Sequence, residues 1–431
     1  MKFELSKYYI QDISEKLERK DFKILKAELS ELHHADIAEL IEELDDEEGK
    51  LLFELFEDEE SAEILIELDD ENREVVLEDL TSQEIAEMLI ENLDSDDAAD
   101  IIADLPSYKK EEVLAHIEDI DHASDIVDLL SYPENTAGGL MAKELIHVND
   151  KWSILRCVSE MRKQAEDVDK VYTIYVVDDN RILLGTLSLK KLLLSPEKNL
   201  IKNIYNEKVI SVKANFDDEE VANIMDKYDL IVLPVVDDLN RLIGRITIDD
   251  VVDVMKEEAM EDYNKASGIS EQVDSSDNIV TLTRARLPWL LIGLMGGIMG
   301  AQVMGIFDIA NNIELAFFTP LIAAMGGNVG VQSAAIIVQG LASNSLGMDT
   351  LSERLFKELG VAMLNGVICS GIIMLITFLL GYPSAIYFTV SISIMAVIIF
   401  AALFGTFVPL ALNKYKIDPA LATGPFITTV N

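Results

Sequence analysis

Long runs without a single charged residue, gathered in the last third of an otherwise very acidic chain, set the strongest limit on its fold. Residues 287–307 carry no charge, and a helix needs about 20 such residues to cross a hydrocarbon core of about 30 Å. Residues 315–348 give a second span with a surplus, and 359–413 give two more, divided at Gly381-Tyr382-Pro383-Ser384. These spans are apolar on every face, unlike the one-sided helices of a soluble core. A fifth apolar stretch begins at Pro419 and is too short to cross by Asn431, so the last span is expected to be incomplete here.

Charge obeys the same division. Six basic and six acidic residues follow Thr283, so the formal net charge of −43 lies wholly before it. Such a surface repels phosphate, which excludes nucleic-acid binding through a basic groove. Cys157 and Cys369 lie in surroundings of opposite polarity and form neither a disulfide framework nor a CxxC site, which points to a reducing compartment. Residues 1–20 are charged and helical in pattern, so no signal peptide is expected. Arg284 and Arg286, Arg354 and Lys357, then Lys414 and Lys416 alternate with connections that carry Asp308 and Glu314 or no charge. By the positive-inside rule, the acidic region faces the cytoplasm of a multi-pass protein in the cell membrane.

The second span holds Gly326-Gly327-Asn328-Val329-Gly330-Val331-Gln332-Ser333. Glycines there permit close helix approach or a broken helix with exposed carbonyls, and irregular backbone at that depth survives only in protein or along water. Asn328 and Gln332, with Gly327, are the expected pore lining, since two amides have little reason to face lipid. Small-residue packing is expected mainly of Gly293, Gly296, Gly297 and Gly300 in the first span. None of the four complete spans is expected to contain Asp or Glu.

Before the spans, a large apolar residue recurs at Leu44, Phe56, Leu68, Leu80, Leu93, Leu105 and Ile117, often followed by an acid, as at Asp45, Glu57, Asp69 and Asp94. The spacing predicts short helices paired as hairpins in a small acidic solenoid. After Tyr132 the pattern changes to strands and helices. Residues 172–178 and 183–189 read as two strands around a turn at Asp179-Asn180, and the order repeats at 231–237 and 242–248. Leu233-Pro234-Val235-Val236-Asp237 and Gly244-Arg245-Ile246-Thr247-Ile248-Asp249-Asp250 resemble a cystathionine-β-synthase (CBS) domain, so the pair resembles a tandem CBS module. That resemblance implies a site for an adenine nucleotide such as ATP at Thr247 and Asp250; in the first copy Gly185 and Ser188 match, but Lys191 stands where the Asp would be.

Taken together, the chain resembles the MgtE family of magnesium channels or transporters. The motifs that carry this are Tyr132-Pro133-Glu134-Asn135-Thr136-Ala137-Gly138, the Gly-Gly-Asn span, and Asp418-Pro419-Ala420 leading to Gly424-Pro425-Phe426-Ile427-Thr428-Thr429. The fold implied is multidomain: an all-α superhelical N-domain (1–132), an α/β CBS pair (133–250), an acidic linking helix (251–283) and an α-helical membrane domain (284–431). The resemblance implies a homodimer with a bilayer as its surroundings and no obligate further partner. It also implies Pro425, Thr428 and Thr429 in the pore, with an acidic ion ligand in the last helix just beyond Asn431.

Magnesium demands octahedral oxygen ligands and releases water reluctantly, so carbonyls, amides and hydroxyls can hold the hydrated ion. Facing carboxylates about 4 Å apart repel by about 1 kcal/mol in water and about 4 at an effective dielectric of 20, so acidic surfaces close only around cations. The candidate ion ligands are Asp94 and Asp97; Asp217, Glu219 and Asp229; Asp249, Asp250 and Asp253; and Glu257, Glu258, Glu261 and Asp262. Asp250, Asp253, Glu257 and Glu261 are expected on one helical face. A transporter of cobalt or manganese, whose ions also accept oxygen ligands, and a membrane-anchored nucleotide sensor are the alternatives. An enzyme is the least favoured class: no His, Cys and carboxylate grouping has metal-site spacing, and His33-His34 reads as a surface pair.

Overall fold

The computed structural model describes residues 5–165, 168, 170–271, 273, 278–306, 313–342, 351–422 and 427, in two units, Met1–Met255 and Lys256–Asn431. The first unit opens with α1 (Lys7–Glu18), α2 (Phe22–Leu29), α3 (His34–Glu42), α4 (Asp46–Phe53), α5 (Asp58–Glu67) and α6 (Asp70–Glu78). After a short α7 (Ser82–Glu84) and a wide turn of π-helix at Ile85–Leu89 come α8 (Ser95–Asp104), α9 (Ser107–His116) and α10 (Ile120–Leu129).

The repeat acquires a physical meaning here. Leu68, Leu93, Leu105 and Ile117 stand at helix C-caps; the residue after each of the first three is the N-cap of the next helix, and after Ile117 the N-cap, Asp119, comes two residues on. Asp45 accepts from the Glu48 amide at 2.9 Å, and Asp69 from the Asn72 amide at 2.8 Å. Each acid thereby satisfies an orphan donor of the first turn and lies at the favourable end of the helix dipole. The apolar faces meet in one core that includes Leu52, Ile64, Leu65, Ile85, Ile90 and Ile102.

Two three-stranded sheets follow. The first contains β1 (His147–Asn149), β2 (Ile174–Val177) and β3 (Leu183–Leu187), with α11 (Ile154–Gln164) between β1 and β2 and α12 (Leu189–Leu194) after β3. The second repeats the plan with β4 (Val212–Lys213), α13 (Asp218–Lys227), β5 (Val232–Val236), β6 (Leu242–Thr247) and α14 (Ile248–Ser267). In both, the first strand is parallel to the second and the second antiparallel to the third. Tyr175 pairs with Thr186 and Val176 with Gly185 in one copy; Pro234 pairs with Arg245 and Val235 with Gly244 in the other. Gly244 is required by a close approach, because a Cβ there would lie 2.9 Å from the Ala142 carbonyl oxygen.

The second unit contains α15 (Ile279–Ile306), α16 (Ile313–Ala316), α17 (Thr319–Ala342), α18 (Leu351–Leu379) and α19 (Ser384–Lys414). Four described stretches are long and apolar enough to cross a membrane, α16 and α17 counting together as one. Of the two possibilities left open by the glycines of the second span, close approach or a break, the structure shows close approach, since α17 runs continuously through Gly326, Gly327 and Gly330. Small-residue packing is closest between α17 and α19, where a Cβ on Gly405 would meet the Gly330 carbonyl oxygen at 2.4 Å; in the first span Gly296 is buried, but a Cβ on Gly293, Gly297 or Gly300 would meet nothing within 4 Å. Helix α18 starts eight residues before the uncharged run and so includes Glu358, which accepts from Ser333 Oγ at 2.6 Å.

Candidate functional sites

The acidic cluster of the first unit is assembled from three places in the chain. Helix α8 supplies Asp94, Asp96 and Asp97 in its cap and first turn, the segment before β1 supplies Glu144, and the start of α14 supplies Asp250. Ligand oxygens of Asp94, Asp96 and Glu144 all lie within 4.8 Å of one another. Ser95 fastens Glu144 in place, giving its amide at 3.2 Å and its hydroxyl at 2.8 Å, and that hydroxyl also accepts from the Lys143 amide at 2.9 Å. Asp94 makes no cap bond, unlike Asp45 and Asp69; its Oδ2 accepts from Arg245 Nη2 at 3.3 Å.

Electrostatics follow from this crowding. Burial, then the charges of Asp97, Asp250, Asp94 and Glu144, hold the Asp96 carboxyl well above the ordinary carboxylate range. Burial and the neighbouring Asp250, Asp94, Asp100 and Glu63 push Asp97 up to about 7. Asp250 is raised too, because burial outweighs the bonds it accepts from the Thr247 hydroxyl at 2.7 Å and amide at 3.1 Å. Carboxylates so arranged repel one another unless protons or cations come between them. An all-oxygen donor set of this kind fits a hard divalent cation.

The remaining predicted ligands are distributed elsewhere. Asp217 and Glu219 are exposed at the start of α13, Asp229 is exposed with φ of 51°, and Asp249 is exposed at the start of α14. Along α14, Asp253 and Glu257 are exposed and Glu258 is half-buried. In the second unit Glu261 pairs with Lys265 at 2.5 Å, and Lys265 with Asp418 at 2.7 Å. Burial, then the Asp418 charge, raises the Asp262 carboxyl. Sequence reasoning missed Asp96, Glu144 and Asp418. The acidic run Asp94-Ser95-Asp96-Asp97 at a helix start was a usable signal for Asp96; Glu144 is 49 residues from Ser95, with no local pattern to join them.

Thr247 and Asp250, the expected nucleotide pair, close on each other as a helix cap. Next to them, Tyr172, Tyr175, Val232 and Arg245 border a cavity of about 10 Å³. On α17, Asn328 and Gln332 occupy successive turns of a face that its own chain leaves exposed, while Gly326, Gly330 and Ser333 are buried against the bundle; Gly327 is half-buried. Pro425, Thr428 and Thr429 lie outside the described residues.

Fold and sites together define an integral membrane protein with an acidic helical domain and a tandem CBS module ahead of its spans. Comparison with known proteins makes this specific. Residues 319–431 match the MgtE divalent cation transporter family, 32–135 the MgtE intracellular N domain, and 137–197 and 201–257 the CBS domain. The magnesium transporter MgtE of Bacillus subtilis (strain 168) is 31% identical over 70% of this chain and 68% of its own length. That of Thermus thermophilus is 35% identical over the same shares. Among solved structures, the cytosolic domain of the Mg2+ channel MgtE in complex with ATP is 33% identical with a TM-score of 0.53, covering 57% of this chain and 99% of that one. The soluble part of a magnesium transporter is 27% identical with a TM-score of 0.52, covering 58% and 98%. The chain belongs to the MgtE family.

Proposed function

We propose that this protein carries magnesium into the cell and closes when magnesium on the cytoplasmic side fills the acidic cluster. The observation that carries the regulatory half is the convergence of Asp94, Asp96, Asp97, Glu144 and Asp250, from an N-domain helix, a connecting segment and the end of the CBS pair. An ion between them removes their repulsion and tightens the acidic region; its loss lets the region open. The change passes to the spans along α14, which starts at Asp250's own turn and leads out of the CBS module. The segments 1–132, 133–250, 251–283 and 284–431 are the working parts: acidic sensor, CBS pair, linking helix and membrane domain.

The conducting half rests on α17. Asn328 and Gln332 form an exposed polar face among the described residues, which makes physical sense in a membrane only against water or protein. Two copies around one axis would bring two such faces together as a pore, with Pro425, Thr428 and Thr429 contributing from the last segment. ATP, which the similar cytosolic domain binds, would occupy the CBS module near Thr247 only after the 10 Å³ cavity opens.

The deciding measurement is flux into liposomes by the reconstituted protein, comparing magnesium, calcium and cobalt, with and without ATP. Magnesium uptake that stops at high magnesium on the cytoplasmic side is the expected result. Asn328→Ala should lower uptake at least about tenfold, the scale of one lost ion-facing amide of about 1.4 kcal/mol, while the acidic region still responds to magnesium. Full uptake in that variant would assign Asn328 to helix packing.

A further inference from the structure

Among the described residues, Arg245 is the only acidic or basic side chain that is buried outright, at 6% exposure. Its Nη2 donates to Asp94 and its Nη1 to the Lys170 carbonyl oxygen, both at 3.3 Å, and its guanidinium carbon stands 5.7 Å from the centre of the Tyr172 ring. Its Nε has no hydrogen-bond partner, and neither does the hydroxyl of Tyr175, which is 1% exposed. Both residues border the cavity of about 10 Å³, which has room for about one water.

Two departures from internal symmetry meet at this point. In the first CBS copy the position equivalent to Arg245 is Thr186, paired across the sheet with Tyr175 as Arg245 is with Pro234. In the helical repeat, the equivalent acids Asp45 and Asp69 accept first-turn amides of their own helices, whereas Asp94 makes no side-chain cap bond and accepts from Arg245. A β-strand residue and a helix-start residue, each unlike these counterparts in its own repeat, thus meet each other.

We propose that Arg245 is the resident cation of the acidic cluster. It holds the second CBS copy against α8 when no metal is bound, and it sets the concentration at which a divalent ion acts there. This rests on reading the cluster as a magnesium site. A planar guanidinium can bridge a carboxylate and a carbonyl at once, and it is never deprotonated. The other cations facing the cluster are committed elsewhere or farther off: Lys143 Nζ is 2.5 Å from Asp128, and His122 Nδ1 is 4.0 Å from Glu144. An incoming ion therefore meets carboxylates already partly neutralised, and fixed positive charge near it weakens its binding.

The test is a magnesium titration of the full chain in detergent, read by limited proteolysis and by melting temperature, for the parent, Arg245→Met and Arg245→Lys. Arg245→Met keeps much of the volume without the charge. It should be cut faster than the parent in the absence of magnesium, yet reach half-protection at about a tenfold lower magnesium concentration, equivalent to about 1.4 kcal/mol. Arg245→Lys should stay within about twofold of the parent, a factor that corresponds to about 0.4 kcal/mol. An unchanged or higher midpoint in Arg245→Met overturns the proposal, since a side chain that merely fills space cannot tighten ion binding when removed. Where Arg245→Met fails to melt cooperatively, Arg245→Gln is judged by the same two criteria. A parent that shows no magnesium protection at all would instead sink the magnesium reading, while faster cleavage of the metal-free variant would still report the resident charge.

Discussion

The two CBS copies share strand order, register and turn chemistry, yet only the second reaches the acidic cluster from its third strand and the helix after it; the first lends Glu144 from the segment before β1. Both turns place a residue in the left-handed region, Arg181 and Asn240, and both brace it with an Asp that accepts two amides, Asp178 and Asp237. After the third strand the copies diverge. Thr186, Ser188 and Lys191 in the first correspond to Arg245, Thr247 and Asp250 in the second. Ser188 accepts from the Lys191 amide at 3.3 Å as an ordinary cap, whereas Asp250 accepts both donors of Thr247 and stands among the carboxylates of α8. Backbone alone therefore does not build this part of the cluster; the side chains of Arg245, Thr247 and Asp250, on an edge that faces the N-domain, do.

The sharpest way to break this contrast is to neutralise the cluster that the second copy joins. Replacing Asp96, Asp97 and Asp250 by Asn keeps volume and removes three carboxylates whose proton affinity is raised by burial and by neighbouring carboxylates. Magnesium protection of the acidic region should then weaken at least about a hundredfold, because amides are far poorer ligands for this ion. The metal-free protein should melt higher than the parent, and flux should persist at high magnesium. A triple variant that still responds at the parent's midpoint would place the sensor elsewhere.

A smaller effect should appear with pH. The Asp97 carboxyl is raised from the ordinary value to about 7, so between about pH 4 and that value the folded state holds more protons than the unfolded chain. The stability this gives is complete below the ordinary carboxylate pKa and is lost as pH rises through about 7. Without magnesium, the melting temperature should fall by at least about 3 °C, roughly 1 kcal/mol for a unit of this size, from about pH 5 to about pH 8. With about 10 mM magnesium, well above the weak end of oxygen-ligand sites, the fall should disappear. A pH-independent metal-free melting temperature would mean that these carboxylates are not crowded in solution.

How far the sequence reveals this arrangement depends on whether the signal is local. The apolar stops of the N-domain and the acids after them are read from spacing, because a helix start needs an acceptor at one fixed position. The four spans are read from length alone, but their ends are not. Helix α18 extends back into a charged segment, which is why an uncharged run alone leaves Glu358 outside the helix. Asp94, Asp97 and Asp250 could be named as acids at helix starts. Glu144 and Arg245 could not, since each acts through a partner 49 or 151 residues away. Alternation along β6 says only that Arg245 is on one face, not that this face meets an acidic helix.

The smallest expected effect is also the strictest test of placement. Lys191→Asp gives the first copy the acid that the second has, at the equivalent position after Ser188. If the Thr or Ser with its Asp were sufficient for an ion site, the first copy should then acquire a magnesium response of its own. The structure argues otherwise, because Asp250 acts in company with Asp96 and Asp97, while Lys191 is exposed on the short helix α12. The substitution should move the magnesium midpoint by less than about twofold, the range of about 0.4 kcal/mol typical of a single exposed charge. A second, distinct transition in the titration would show that the copies differ in their side chains only, and that the meeting with α8 is not what makes the second copy a sensor.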